Sequence, residues 1–353
     1  MKSRLCKLLL ALPAALLAVT AQAADVTLRI AAPDLSAGPK PSAGPLVDVL
    51  HSRQLLEQAL AKQGVAVKWY FFKGAGPLIN EAMSNGQLDA AFLGDLASII
   101  GRASGVQTRL VMATGRGING YLGVTPSSGI KTVADLKGKR IGMLRGTADH
   151  LALIDVLATA GLGERDVRVI NLDFNAVNAA LAAGQIDASW APSRLFALRD
   201  KGVIQIPLGS PQLQGKGAGQ GGLLFTQAFI DAHPQAVVDA TATVAKALDW
   251  LSHEENRQAQ IDLSAEQSAY PAKVLADALR GADLRFVYSP LLDSYYLGTL
   301  RKDVDLAHGA RLIRSTFDVD QWAAPDILQR ALGQAGLSDA WQATDHYRWS
   351  TAP

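Results

Sequence analysis

The sequence predicts an α/β protein of two lobes, each a mostly parallel sheet flanked by helices. Short β-branched or apolar segments alternate with longer segments of helical periodicity through the first two thirds of the chain, which is the pattern of strands joined by helices. A helix, a glycine and a strand that starts with Asp occur twice, with G-Q-L-D-A at 86–90 and G-Q-I-D-A at 184–188. Two similarly built lobes explain this repeat, and a common turn used twice is the alternative.

The predicted elements follow from apolar spacing and from glycines that end helices. The predicted strands are 26–31, 65–72, 88–94, 109–114, 121–125, 140–144, 167–172, 186–191 and 203–207. The predicted helices between them are 46–63, 77–85, 95–103, 148–160, 175–183 and 193–201. After 225, helices are expected at 235–250, 271–281, 291–301 and 320–332, with one strand-like segment at 284–288. A section with so few strands favours packing on an existing lobe, so the expected division is lobe 1 at 24–119 plus 222–353 and lobe 2 at 120–221.

The first 23 residues have the three parts of a secretory signal peptide. Lys2, Arg4 and Lys7 precede an apolar run at 8–19, and the A-Q-A at 21–23 supplies a cleavage site. The run is too short to span a membrane, which takes about 20 apolar residues. We therefore expect a protein that is exported to the periplasm.

Charge and cysteine content exclude several function classes. The chain has 34 Lys and Arg against 32 Asp and Glu, and three of these cations belong to the expected signal peptide. The near-neutral remainder, without a Lys/Arg cluster, argues against nucleic-acid binding. Cys6 is the single cysteine and lies in the same leader, so we expect no disulfide, no thiolate metal site and no cysteine nucleophile in the exported protein.

The familiar catalytic motifs are missing from the sequence. There is no H-E-x-x-H, no G-x-S-x-G and no G-x-x-x-x-G-K-[ST]. G-R-G-I-N-G at 115–120 matches a dinucleotide fingerprint by its letters, but a predicted strand follows it where a helix should begin. We interpret 115–120 as a connection between the lobes.

Two glycine-rich turns are candidates for binding an anion. One opens a helix near Gly76 and Pro77, and the other opens a helix near Thr147, Ala148 and Asp149. Helix N-termini at the carboxyl edge of a parallel sheet present free N–H groups that hold anions without a dedicated cation. One such turn in each lobe would form a clamp, although every α/β lobe has turns of this kind.

Two further positions lie where strands meet the expected cleft. Trp190 ends a strand of lobe 2, where the indole either packs in the core or faces a ligand. Gly94 and Asp95 hold the matching place in lobe 1, where a glycine permits close backbone approach. We expect Asp95 to cap the following helix rather than to bind a cation.

The order of these motifs resembles that of periplasmic solute-binding proteins of the nitrate/sulfonate/taurine (aliphatic-sulfonate-binding) type, the extracytoplasmic components of ABC importers. The resemblance covers nearly the whole exported chain, and D-L-K-G-K-R-I-G at 135–142 is its most specific segment. The segments that carry it, besides the signal peptide, are 72–77, 86–90, 93–95, 132–142, 145–147, 184–188 and 317–322.

The resemblance implies a type II periplasmic-binding-protein fold, with a ligand cleft between two lobes joined by two crossings. It implies no catalytic residue, metal or cofactor, a small anionic organic ligand, a permease and its ATPase as partners at the inner membrane, and a monomer. The implied ligand-binding positions are Gly76, Pro77, Gly94, Asp95, Asn119, Thr147, Ala148, Asp149 and Trp190. A sulfonate is the expected head group because it needs several N–H donors and no proton acceptor, while nitrate, bicarbonate and carboxylates stay open.

Departures from the family pattern concern the cleft. The segment 32–45 is longer and richer in Pro and Gly, and we expect it at the cleft mouth. Trp190 is followed by Ala191-Pro192 instead of an acidic-aromatic pair, and the glycine-rich segment 210–222 is a candidate cover for the ligand. An enzyme or a ligand sensor on the same fold is the alternative, but the desulfinases and thiamine-precursor synthases of this superfamily depend on a cysteine that the exported chain lacks.

Overall fold

The computed structural model describes residues 26–349, so the expected signal peptide at 1–23 lies outside the described residues. Nine strands of this part of the chain form two sheets. The strands are β1 (Val26–Pro33), β2 (Val65–Phe72), β3 (Ala90–Gly94), β4 (Thr108–Ile118), β5 (Tyr121–Val124), β6 (Arg140–Met143), β7 (Arg168–Asn171), β8 (Ala188–Ala191) and β9 (Gly219–Thr226).

Both sheets are mostly parallel, as the sequence predicts, and each contains one reversed strand. The first has the order β2-β1-β3-β9-β4, in which only β9 runs antiparallel to its neighbours. The second has the order β5-β8-β6-β7, in which β5 is antiparallel to β8. We call the first sheet with its helices lobe 1 and the second lobe 2. The chain returns to lobe 1 through β9, which begins slightly before the predicted boundary at 222.

Helices cover both sheets, and those after β9 surround lobe 1. The α-helices are α1 (Pro45–Ser52), α2 (Leu55–Leu60), α3 (Ala75–Ser84), α4 (Asp95–Ala103), α5 (Ala148–Ala158), α6 (Phe174–Ala182), α7 (Phe196–Asp200), α8 (Gln227–Ala232), α9 (Pro234–Leu251), α10 (Arg257–Ser268), α11 (Ala272–Ala278), α12 (Leu284–Val287), α13 (Ser294–Gly309), α14 (Val319–Trp322) and α15 (Pro325–Ala335).

Several predicted elements are wrong in type or extent. The single helix expected at 320–332 is divided into α14 and α15. The expected strand at 203–207 makes only one bridge, between Gln205 and Val124. The expected strand at 284–288 is helix α12, because Asp283 accepts a hydrogen bond from the Phe286 N–H at 3.1 Å and caps a helical turn. The single helix expected at 46–63 is divided into α1 and α2, since Gln54 adopts a left-handed φ of 52°. Short apolar runs do not distinguish strand from helix by periodicity alone.

The repeated G-Q-[LI]-D-A segment forms the same contact in both lobes. In lobe 1 the Asp89 carboxylate accepts the Arg29 backbone N–H at 2.8 Å and its guanidinium at 2.6 Å. In lobe 2 the Asp187 carboxylate accepts the Arg140 backbone N–H at 2.8 Å and its guanidinium at 2.7 Å. Each arginine also donates to the carbonyl of the glycine that starts the segment. This shared geometry supports two similarly built lobes over a common turn used twice.

Each lobe has its own apolar core. Two clusters of buried side chains cover the two faces of the first sheet, and two smaller clusters belong to the second. No helix within 26–349 combines the length and the apolar character that crossing a bilayer requires. Within the same range, no group of three or more His, Cys, Asp or Glu side chains could hold a metal ion.

Candidate functional site

A cleft of about 420 Å³ lies between the lobes, next to the chain crossings. The carboxyl ends of β1 and β3 and the start of α3 line it from lobe 1, and the start of α5 lines it from lobe 2. The predicted site residues that line it are Gly76, Gly94, Asn119, Thr147, Ala148, Asp149 and Trp190. The structure therefore brings seven of the nine expected positions to one cavity.

Two helix N-termini reach the cleft without a capping side chain. Helix α5 begins after Thr147, whose hydroxyl donates to the Leu144 carbonyl at 2.7 Å instead of accepting from the helix. Helix α3 also has no side-chain cap, and its first residue, Ala75, adopts a left-handed φ of 47°. First-turn N–H groups have no acceptor within their own helix. Both turns thus present N–H donors and the positive ends of helix dipoles to the cleft.

The lobes approach each other at Gly94, which precedes α4, and at Gly76 in the first turn of α3. A Cβ placed on Gly94 would lie only 2.9 Å from the Ala148 Cβ of lobe 2. A Cβ on Gly76 would lie 2.3 Å from the Ala97 Cβ and 3.3 Å from the Gly146 carbonyl oxygen. The separation at Gly94 is shorter than side chains tolerate, so the contact between the lobes needs glycine there, whereas Gly76 is needed for the packing of α3 on α4 within lobe 1. The close backbone approach expected at Gly94 is present.

Asn119, at the first crossing, supplies a side-chain donor. It is 5% exposed, and its carbonyl oxygen accepts the Tyr347 hydroxyl at 2.5 Å. Its amide nitrogen is buried and has no hydrogen-bond partner among residues 26–349. A buried donor without an acceptor is unfavourable, and an anion in the cleft would satisfy it.

Arg194 gives the cleft a cation that the sequence reasoning missed. Its guanidinium pairs with the Asp149 carboxylate and lies 4.6 Å from the centre of the Phe174 ring. All three side chains line the cleft, and the Arg194 Nε has no partner in the part of the chain described. The sequence-based prediction, which relied on backbone N–H donors alone, named no cation at this edge of the cleft. The sequence does contain a signal for this cation. An Arg follows the second G-Q-[LI]-D-A segment closely, at positions that correspond in lobe 1 to the start of α4.

Trp190 lines the cleft, but its polar atom is already used. The residue is 1% exposed, and its indole N–H donates to the Gly217 carbonyl at 2.9 Å. A Cβ on Gly120 would lie 2.1 Å from the same indole nitrogen. The indole therefore packs beneath both crossings, and it offers a ligand only an apolar edge. Of the two interpretations that the sequence left open, the structure shows the core packing, and it also places Trp190 at the border of the cleft.

Pro77 and Asp95 do not line the cleft. Pro77 is exposed and stands third in α3 rather than first, because the helix begins at Ala75. Asp95 is the first residue of α4, and Gly94 occupies the cap position in its place. The buried Asp95 carboxylate accepts the Gln220 N–H at 2.7 Å, and burial raises its pKa to about 6. Asp95 thus ties α4 to β9.

The two unusual segments both reach the cleft. The Pro- and Gly-rich segment at 32–45 contributes Leu35 and Ser42 to its wall, so its expected place at the cleft is confirmed. Its Ser36 carbonyl also accepts the Asn175 amide of lobe 2 at 3.4 Å. The segment at 210–222 is tied to lobe 2 by Gly217, whose N–H donates to the Asp155 carboxylate at 2.9 Å.

Comparisons with known proteins agree on one family. Residues 59–257 match the NMT1/THI5-like family. The chain is 30% identical over 244 residues to a protein of Escherichia coli (strain K12) described as an aliphatic sulfonates-binding protein, an alignment that covers 65% of this chain and 70% of the relative.

Solved structures share the architecture. The structure of the periplasmic sulfonate-binding protein SsuA from Methylobacillus flagellatus KT superposes with a TM-score of 0.78 at 28% identity, covering 91% of this chain and 98% of the other. The desulfurization enzyme DSZB superposes with a TM-score of 0.64 at 18% identity, covering 88% of this chain and 99% of that one, which shows a common fold only. The chain thus has the two-lobe fold of periplasmic binding proteins and belongs to the NMT1/THI5-like family.

Proposed function

We propose that this protein is the extracytoplasmic substrate-binding component of an ABC importer and that it captures an organic sulfonate. The observation that carries the proposal is the convergence of donors on one cleft. The starts of α3 and α5 present backbone N–H groups there, and the Asn119 amide and the Arg194 guanidinium add side-chain donors. A sulfonate has three acceptor oxygens and no proton to donate, so it matches a set of donors.

The other anions fit the cleft less well. At about 30 Å³ per water molecule, 420 Å³ holds roughly 14 waters, far more than nitrate or bicarbonate would displace. Bicarbonate also donates a proton, and the Asp149 carboxylate that could accept it is already paired with Arg194. A carboxylate has one acceptor oxygen fewer than a sulfonate. The names of the relatives, which refer to sulfonates, point in the same direction.

Capture would proceed by closure of the lobes about the crossings near Asn119 and Gly217. Contacts across the cleft, such as Gly94 with Ala148, would form as the lobes close. Export through a cleaved signal peptide at 1–23 would place the protein in the periplasm as a monomer. There it would deliver ligand to a permease and its ATPase, without chemical change to the ligand.

Isothermal titration calorimetry of the chain from residue 24 tests the proposal. We expect sulfonates to bind more tightly than carboxylates of matched carbon skeleton, and nitrate and bicarbonate to bind weakly. The bound compound should be recovered unchanged by mass spectrometry. A protein that binds none of the sulfonates, or that converts one of them to another product, would contradict the proposed function.

A further inference from the structure

We infer that the captured sulfonate carries a bulky apolar body, which a second part of the cleft receives. This part, the tail pocket, lies in lobe 1 between α1, α10 and α11 and is lined by Leu46, Val47, Ile261, Ser264, Val274 and Leu275. The inference rests on the proposed function, since it concerns the same ligand. The tail pocket and the donors belong to one continuous cleft.

The size of the cleft exceeds what a head group needs. Methanesulfonate, with about five non-hydrogen atoms, would fill roughly a third of a volume that holds about 14 waters. The donors gather at the starts of α3 and α5, whereas the tail pocket extends toward the C-terminal helices. A ligand that bridges the two needs about as many non-hydrogen atoms as naphthalenesulfonate.

The walls of the tail pocket are apolar and are not filled by the protein itself. Ile261 and Val274 are 4% and 2% exposed, yet neither takes part in the four apolar clusters of the described chain. Their side chains instead border the cavity, from α10 and α11 respectively. Lining atoms without contacts lose dispersion energy, and a ligand body of matching shape would restore those contacts.

One hydroxyl group in the tail pocket lacks a partner. Ser264 is 3% exposed, and its hydroxyl makes no hydrogen bond to any residue within 26–349. An unsatisfied buried hydroxyl is unfavourable, so the body of the ligand should carry an oxygen or nitrogen that pairs with it.

A ligand series measured by calorimetry tests the apolar body. From methane- to butane- to octanesulfonate we expect Kd to fall by about fourfold for each added methylene until the tail pocket is filled, with naphthalene-1-sulfonate among the tightest ligands. A Kd that stays within threefold across the series, while sulfonates do bind, would overturn this inference and leave the proposed function standing. Binding of other anions but of no sulfonate would overturn the proposed function.

Variants locate the effect in the tail pocket. Val274→Trp should fill it and weaken naphthalene-1-sulfonate at least thirtyfold, while the Kd of ethanesulfonate changes less than threefold. If Val274→Trp does not fold, Ile261→Phe serves the same purpose from α10. Equal losses for the large and the small ligand in a folded variant would place the body elsewhere and contradict the inference.

The hydroxyl is tested by a matched pair of ligands. We expect 4-hydroxynaphthalene-1-sulfonate to bind about fivefold more tightly than naphthalene-1-sulfonate, and Ser264→Ala to remove that preference. No preference in the unaltered protein would overturn the pairing with the ligand body.

Discussion

Lobe 1 and lobe 2 use the same internal contact and differ where they face the ligand. In both, an Asp after a Gly-Gln pair holds an Arg on the neighbouring strand. Beyond that Asp, β3 leads through Gly94 into α4, whereas β8 leads through Pro192 into a short turn that carries Arg194. Pro192 has no N–H to offer, and Arg194 supplies a charge in its place. The scaffold is thus repeated, while the cleft edges are specialised.

The largest expected effect tests the shared contact. Asp89→Ala should lower the free energy of unfolding by about 3 kcal/mol and Asp187→Ala by about 2 kcal/mol, because each removes the acceptor of a backbone N–H and the charged partner of a guanidinium. The order follows from exposure, since the Asp89 side chain is 11% exposed and that of Asp187 20%. Urea unfolding measures both, and a larger loss at Asp187 would contradict the comparison.

The contact between the lobes depends on Gly94. Gly94→Ala should weaken sulfonate binding about 100-fold, equivalent to about 2.7 kcal/mol, because the added methyl group prevents the approach of Ala148. Since Gly94 has an ordinary φ of −71°, the thermal stability of the free protein should change little. Gly298→Ala is the matched control, because a Cβ there meets no atom within 4 Å. Unaltered affinity in Gly94→Ala would exclude closure at this point.

The next largest effect on affinity is expected from Arg194, the cation on the lobe 2 edge of the cleft. Arg194→Met should weaken binding about thirtyfold, since it removes a donor and leaves the Asp149 carboxylate unpaired beside the anion. The double variant Arg194→Met/Asp149→Asn should recover about threefold of that loss, because it also removes the repulsive charge. Calorimetry gives both values. No recovery in the double variant would show that Asp149 does not act on the ligand.

Replacing one backbone donor should have a smaller effect. Ala148→Pro removes the first N–H of α5 at a position where proline fits a helix, and Thr147 before it already has the extended backbone that proline requires. Binding should weaken about tenfold. Ala272→Pro, at the first position of α11, is the control and should leave the Kd of ethanesulfonate unchanged. Similar losses in both variants would argue against a specific donor at Ala148.

The smallest expected effect is on pH dependence. Burial raises the pKa of Asp95 in lobe 1 to about 6, so this carboxyl gains a negative charge behind the anion site as the pH rises through that value. Sulfonate affinity should therefore fall about threefold between pH 5 and pH 7.5, because like charge opposes the ligand. Titrations at both pH values test the sign. An affinity that rises with pH would contradict it.

Sequence reasoning succeeded where the signal is local. Short segments of sequence were enough to predict the G-Q-[LI]-D-A repeat, the helix start at Ala148 and the exact bounds of β2 and α4. It failed where neighbours in space decide. Pro77, expected in the cleft, is exposed to solvent. The Trp190 indole N–H donates to the Gly217 carbonyl and is not free for a ligand. The segment 284–288, expected to be a strand, forms helix α12 because Asp283 caps it.

The sequence by itself determined the α/β class, the near-neutral charge and the presence of helix starts suited to an anion, because these depend on composition and on residues within one turn of each other. Only the tertiary structure decided which groups meet in the cleft. Arg194 reaches Asp149 across 45 positions of sequence, and the tail pocket joins Leu46 to Val274. Such pairings arise when the two lobes and the returning C-terminal helices pack, and no local pattern records them.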